Sequence, residues 1–155
     1  MSFTIVKGDI TKMQVDAIVN AANTKLAMGG GVCGAIFRAA GVSEMQVACS
    51  ELSPIKTGEA VITPGFNLSA KFVVHTAGPV YDQSQKEESE KLLRSAYMES
   101  LKLALENGCK SIAFPLISSG IYGYPKDDAL EVAKTAINDF LAEHDMDVYL
   151  VLFGK

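Results

Sequence analysis

Apolar positions along this chain follow two periods, and the way those periods alternate predicts its architecture. Phe3 to Lys7 alternates and reads as an opening strand, stopped at Gly8-Asp9. Residues 17–22 form a continuous, largely apolar run ending at Asn23, the pattern of a strand buried on both faces. From Val32 to Ala40 the spacing of Ile36, Phe37, Ala39 and Ala40 is helical, Gly41 ends it, and a second short helix follows over 44–52. Ala60 to Thr63 and Phe72 to His75 are β-rich runs closed by Pro64-Gly65 and Gly78-Pro79.

Leu93, Tyr97, Leu101 and Leu105 make an i,i+4 stripe within a helix over 87–106, with Glu87, Glu88 and Glu90 in its first turns and Asn107-Gly108 as its stop. Residues 111–117 read as another buried strand. A helix over 126–144 would bury Ala129, Leu130, Ala133, Ala136, Ile137, Phe140 and Leu141, and Asp147 to Phe153 closes the chain as a strand. Buried strands alternating with amphipathic helices predict an α/β fold, a three-layer α/β/α sandwich. The whole of 1–155 reads as one unit without repeat, low-complexity tract or linker.

Two of the strand-to-helix junctions are rich in glycine. Met28-Gly29-Gly30-Gly31-Val32-Cys33-Gly34 follows the run at 17–22, and Ser118-Ser119-Gly120-Ile121-Tyr122-Gly123 follows the run at 111–117. Such a turn lines up backbone N–H groups at the positive end of a helix dipole, which suits a phosphate. A tight turn is the plain alternative for either loop alone; two loops at matching positions point to a ligand with two linked phosphates. Residues 117–124 carry no charge and residues 20–37 only Lys25, so peptide N–H groups rather than cations would hold the diphosphate.

Gly29, Gly31 and Gly34 also spell G-x-G-x-x-G, with Glu51 further on. Dinucleotide-binding glycines follow their strand at once, whereas here residues 23–28 intervene, and a Rossmann dehydrogenase is rejected.

Composition narrows the classes further. With 155 residues, 48% of them hydrophobic, the chain can bury one proper core, and a net charge of −4 argues against a nucleic-acid partner. Cys33, Cys49 and Cys109 match neither a disulfide framework nor a metal-ligand spacing and read as free thiols of a reducing cytosol. Met1-Ser2-Phe3-Thr4 has neither a basic nor an apolar leader region, so no secretory signal is expected, and no apolar run approaches the ~20 residues of a membrane span. A soluble cytoplasmic monomer is expected, with no metal, no cofactor and no membrane partner.

Several segments, in order, carry a resemblance. Gly8-Asp9-Ile10-Thr11, Val15 to Asn23, Gly29-Gly30-Gly31-Val32, Thr57-Gly58-Glu59-Ala60, His75-Thr76-Ala77-Gly78-Pro79 and Ile117 to Pro125 resemble the macrodomain family of ADP-ribose-binding modules across nearly the whole chain. The branch most similar is the bacterial one that removes acetyl from O-acetyl-ADP-ribose or ADP-ribose from proteins. The resemblance implies an α/β/α sandwich with a mixed central sheet and ADP-ribose, its derivatives or ADP-ribosylated proteins as partners.

By that resemblance Asp9 accepts from the adenine amino group, with Ile10 beside it, and Phe153 stacks on adenine; local sequence alone leaves open a capping or turn role for Asp9 ahead of Thr11 and an ordinary core place for Phe153. The diphosphate falls to Gly30, Gly31, Val32, Cys33 and Gly34 and to Ser118, Ser119, Gly120, Ile121, Tyr122 and Gly123. Asn23 matches the asparagine that hydrogen-bonds the distal ribose, and an amide both donates and accepts as a sugar hydroxyl does. Tyr122 matches the aromatic that packs against that ribose; Tyr124 reads as a loop anchor. Asn20 reads as structural, fixing the loop through backbone contacts, and His75, on an apolar strand, as a satisfied core residue; a Cys33–His75 nucleophilic pair is set aside because nothing local fixes their distance.

Two departures stand out. The hydrolytic branch reads Gly-Gly-Gly-Val-Asp-Gly-Ala-Ile, its aspartate placing the attacking water, where this chain has Cys33. Relatives also continue past the last strand into another helix, whereas Phe153-Gly154-Lys155 closes this sequence, so part of the adenine wall is expected to be missing or supplied differently. Asn23, Cys33 and Tyr122 are therefore the catalytic candidates of a hydrolase. The alternatives are a non-catalytic ADP-ribose reader and, more weakly, a phosphoesterase acting on ADP-ribose-1″-phosphate.

Overall fold

The computed structural model describes residues 2–153; Met1, Gly154 and Lys155, part of the unit expected from the sequence, lie outside the described residues. Six strands form one sheet: β1 (Ser2–Gly8), β2 (Ala17–Ala22), β3 (Ala60–Pro64), β4 (Phe72–Ala77), β5 (Ser111–Phe114) and β6 (Asp147–Phe153). Their order is β1-β6-β5-β2-β4-β3, parallel throughout except for β3, which runs antiparallel to β4. The sheet is mixed, as the resemblance implies.

Helices α1 (Gly31–Ala40) and α2 (Val42–Leu52) cover one face, and α3 (Lys86–Glu106) and α4 (Lys126–Leu141) the other. Side-chain alternation along the strands sorts the core. Ala17 and Val19 pack with Leu93, Tyr97 and Leu101 of α3 and with Ala133 and Ile137 of α4. Ile18 and Ala22 pack with Ile36 and Phe37 of α1 and with Met45 and Cys49 of α2. Three layers result, and because β2 is buried on both faces its sequence is apolar rather than alternating.

Two ends differ from the sequence-based bounds for local reasons. β5 stops at Phe114 instead of reaching 117, because Pro115 has no N–H to continue the ladder and Ser118 turns into the left-handed region at φ 67°. α4 ends at Leu141 rather than 144, where Ala142 N–H bonds Asn138 O and His144 N–H bonds Phe140 O as the helix unwinds. No helix among the described residues is long and apolar enough to cross a membrane.

Topology decides where a ligand can sit. The chain leaves β2 toward α1 and the β4–β3 side of the sheet, and leaves β5 toward α4 and the β6–β1 side. Neighbouring parallel strands with diverging exits leave a crevice beyond their carboxyl ends. Both glycine-rich loops open onto that crevice.

Candidate ligand site at the strand ends

The loop after β2 is held residue by residue. Asn23 clasps Ala27: its Nδ2 donates to Ala27 O at 2.9 Å and its Oδ1 accepts Ala27 N–H at 3.1 Å. Gln46 Oε1 on α2 accepts Met28 N–H at 3.2 Å, and Cys33 Sγ accepts Gly29 N–H at 3.4 Å. The loop then enters α1 through Gly30, an N-cap with no side-chain hydrogen bond. The first-turn N–H groups of Gly31, Val32 and Cys33 are therefore left without a capping side chain. Gly34 permits this approach, since a Cβ there would stand 2.7 Å from Gly29 O.

A buried tyrosine hangs the second loop. Tyr97 of α3 donates its hydroxyl to Pro115 O at 3.2 Å and accepts Ile117 N–H at 3.1 Å, and burial pushes its own ionisation well above the usual range. Ser118, strained by roughly 1–3 kcal/mol in the left-handed region, is fixed by Oγ donating to Pro79 O at 2.7 Å. Gly78 lies so close that any Cβ would collide with Ile117 and Ser118. Gly123 N–H closes back on Gly120 O at 2.9 Å, and Tyr81 N–H bonds Tyr122 O at 2.8 Å. Among the described residues, the N–H groups of Gly120, Ile121 and Tyr122 donate to no backbone carbonyl.

Tyr122 is half-buried and Ile121 fully exposed at the loop tip. Tyr124 is buried, edge-on to Tyr81 at 4.8 Å between ring centres, which suits the anchor expected of it. Burial, with Glu90 nearby, raises the Tyr124 phenol above its ordinary range.

At the far end of the crevice, Gly8 of β1 pairs with Phe153 of β6, so Asp9 and Phe153 leave neighbouring strand ends. Phe153 is 85% exposed, an unusual setting for an aromatic unless something stacks on it. Asp9 caps a short 3-10 turn over Ile10–Lys12, accepting Thr11 N–H at 2.9 Å and Thr11 Oγ1 at 2.6 Å. Those bonds hold its carboxyl below the usual range, an ionised acceptor at neutral pH. Ile10 turns its side chain into the core.

Beneath the first loop lies a buried polar cluster on the α1–α2 face. Asn20 stands directly opposite His75 in the β2–β4 pairing, and both are fully buried. Asn20 Nδ2 lies 3.0 Å from His75 Nδ1 and donates to Cys33 Sγ at 3.6 Å, while His75 Nε2 lies 3.0 Å from Thr63 Oγ1. Burial lowers His75 to about 4, so the ring is neutral. Burial, then the neighbouring Cys33, raises Cys49 to about 11. The expectation that Asn20 acts through backbone contacts is corrected here: its amide bonds two side chains instead. His75 is a satisfied core residue as expected, linked to Cys33 through Asn20. Asn20 Oδ1 accepts from no protein group among the described residues.

No charge enters residues 117–124, and Lys25 is exposed at the start of the other loop. Among the described residues no group of three or more His, Cys, Asp or Glu could hold a metal ion. The strand ends therefore offer neutral N–H groups on the loops after β2 and β5, an aromatic ring and a carboxylate where β6 and β1 end, and an amide and a phenol on the two loops themselves.

The family model for the macro domain matches residues 19–133, which span both loops and all four helices apart from the last turns of α4. The chain belongs to the macro domain family. It is 48% identical over 157 residues to the O-acetyl-ADP-ribose deacetylase of Escherichia fergusonii, covering 97% of this chain and 88% of that one. It is 49% identical over 147 residues to the ADP-ribose glycohydrolase MACROD2 of Xenopus laevis, covering 95% of this chain and 35% of that one. A variant of the Oceanobacillus iheyensis macrodomain solved with ADPR superposes with a TM-score of 0.92 at 43% identity, covering 97% of this chain and 84% of that one.

In this macro domain the supports of the site were the part missed in the sequence. Tyr97 reads there only as one step of a helical stripe, Gln46 is one position of the helix over 44–52, and Ser118 is expected on the diphosphate rather than as a brace to Pro79 O. None carries a local signal of its role, because each acts on backbone brought near by the fold.

Proposed function

We propose that this macro domain binds ADP-ribose and hydrolyses an acyl ester on its distal ribose, carried either as O-acetyl-ADP-ribose or as a modified protein carboxylate. The observation that carries the reading is the pair of glycine-rich stretches, uncharged over 28–34 and 118–123, that follow neighbouring parallel strands and leave N–H groups without a side-chain cap or a backbone partner. The diphosphate spans residues 30–34 and 118–123, adenine lies between Asp9 and Phe153, and the distal ribose meets Asn23 and Tyr122. Asn23 suits that task even while clasping Ala27, since one amide hydrogen and one lone pair stay free for a hydroxyl.

In the reaction one water is consumed. Its oxygen bonds to the acyl carbon, the acyl–oxygen bond to ribose breaks, and the ribose oxygen takes a proton as the acid departs. Neither glycine-rich loop contains a carboxylate, so the Asn23 amide and the substrate's own phosphate orient the water. Positioned bases are worth ~100- to 10,000-fold, and turnover is slow without one.

A second reading, a reader that binds without turnover, is favoured by one observation: the Cys33 sulphur is buried and engaged by Gly29 N–H and Asn20. Acetate release from O-acetyl-ADP-ribose, followed by NMR, separates the two. Release above that of an Asn23→Ala, Tyr122→Ala double variant supports the hydrolase, and binding with no such excess leaves the reader.

A further inference from the structure

The buried cluster under the first loop has a direction. Thr63 Oγ1 lies 3.1 Å from Pro64 O and donates to it, which leaves its lone pairs for the His75 Nε2 proton at 3.0 Å. His75 Nδ1 is then an acceptor and takes one hydrogen of the Asn20 amide; this tautomer is assigned from the network. The second amide hydrogen points to Cys33 Sγ. The same sulphur receives Gly29 N–H at 3.4 Å and reaches Ala27 O at 3.9 Å. A chain of bonds thus runs from edge strand β3, through β4 and β2, to the residues just ahead of the α1 N-terminus.

Asn20 is the polar residue between the apolar Ile18 and Ala22 on its face of β2. One amide hydrogen satisfies His75 Nδ1, which a hydrocarbon at this position would leave unpaired, and the other goes to a sulphur attached to the first glycine-rich loop.

We propose that Asn20 is a positioning residue for the first diphosphate loop, acting through Cys33, whose sulphur serves as an internal acceptor rather than as a group facing the reaction. The inference rests on the ADP-ribose reading for the name of the ligand, and on geometry alone for the loop. Residue 33 needs only to accept two N–H groups from within, so a serine can replace the cysteine and an alanine cannot.

The test has two arms. Without ligand, amide hydrogen exchange at Gly29 is measured in the wild-type chain and in Asn20→Leu, Cys33→Ala and Cys33→Ser. Protection falls about tenfold in the first two variants and is kept in the third. With ADP-ribose, calorimetry gives Kd about tenfold weaker for Asn20→Leu and Cys33→Ala, within about threefold of wild type for Cys33→Ser, and no weaker for the double Asn20→Leu, Cys33→Ala than for either single change.

Unchanged Gly29 exchange in a folded Asn20→Leu chain overturns the proposal, as does Cys33→Ala binding like wild type or a double variant whose losses add. A purely structural role would lower the melting temperature and leave Kd alone, which also counts against it. If Asn20→Leu does not fold, the alanine and serine variants at position 33 decide the matter. A wild-type chain that ignores ADP-ribose yet shows the expected exchange pattern refutes the binding reading and supports the loop claim.

Discussion

Phe153 stands directly opposite Gly8 across the β1–β6 pair, which sets its exposed ring beside the strand end that delivers Asp9. The two residues are far apart in sequence, and parallel pairing alone unites them. A stacked base is worth roughly 1–3 kcal/mol by alanine substitution, so Phe153→Ala should weaken ADP-ribose binding by about 5- to 150-fold. The ring is 85% exposed, so melting should hardly move. Calorimetry with parallel thermal melts checks both; an unchanged Kd places adenine elsewhere.

Much of this arrangement was legible beforehand. Among the described residues the sequence pattern placed the six strands and the four α-helices, and glycine-rich turns after 17–22 and 111–117 marked the crevice, because strand exits and helix starts are local properties of sequence. What the sequence withheld was non-local. Nothing near Asn20 announces that it faces His75 across β2 and β4, and nothing near Tyr97 announces the backbone of Pro115 and Ile117. The extent of β5 was misjudged because apolar Leu116 and Ile117 continue the pattern of a strand whose ladder Pro115 cannot sustain.

Tyr97 offers a direct test of how the second loop is hung. Tyr97→Phe deletes one oxygen and leaves Ile117 N–H and Pro115 O without that partner in a buried setting. The expected loss is ~1–3 kcal/mol, read as a fall of roughly 2–12 °C in melting temperature. ADP-ribose affinity should fall with it, since Ser118 to Tyr122 follow immediately. A chain that melts and binds as before would show the loop to be held by Ser118 and Gly78 alone.

His75 makes stability sensitive to acid. Its ordinary value of 6.5 is lowered to about 4 in the folded chain by burial, so between those values the unfolded chain takes up a proton that the folded chain refuses. Stability is fully present above pH 6.5 and is lost as pH falls toward 4, by about 3 kcal/mol at full extent. Urea unfolding at pH 7 and pH 4.5 should show a drop that is smaller, by about 2 kcal/mol, in a His75→Asn variant. Equal drops in the two proteins would mean that His75 is solvated or charged when folded.

The central claim is that neutral main-chain amides of two loops hold the diphosphate. Titration of ¹⁵N-labelled protein with ADP-ribose, read as amide shifts, tests it most directly. The account predicts saturable shifts concentrated at Gly31, Val32 and Cys33 and at Gly120, Ile121 and Tyr122, with little dependence on salt. Shifts confined to lysine- and arginine-bearing surface, or absent at both loops, would contradict it.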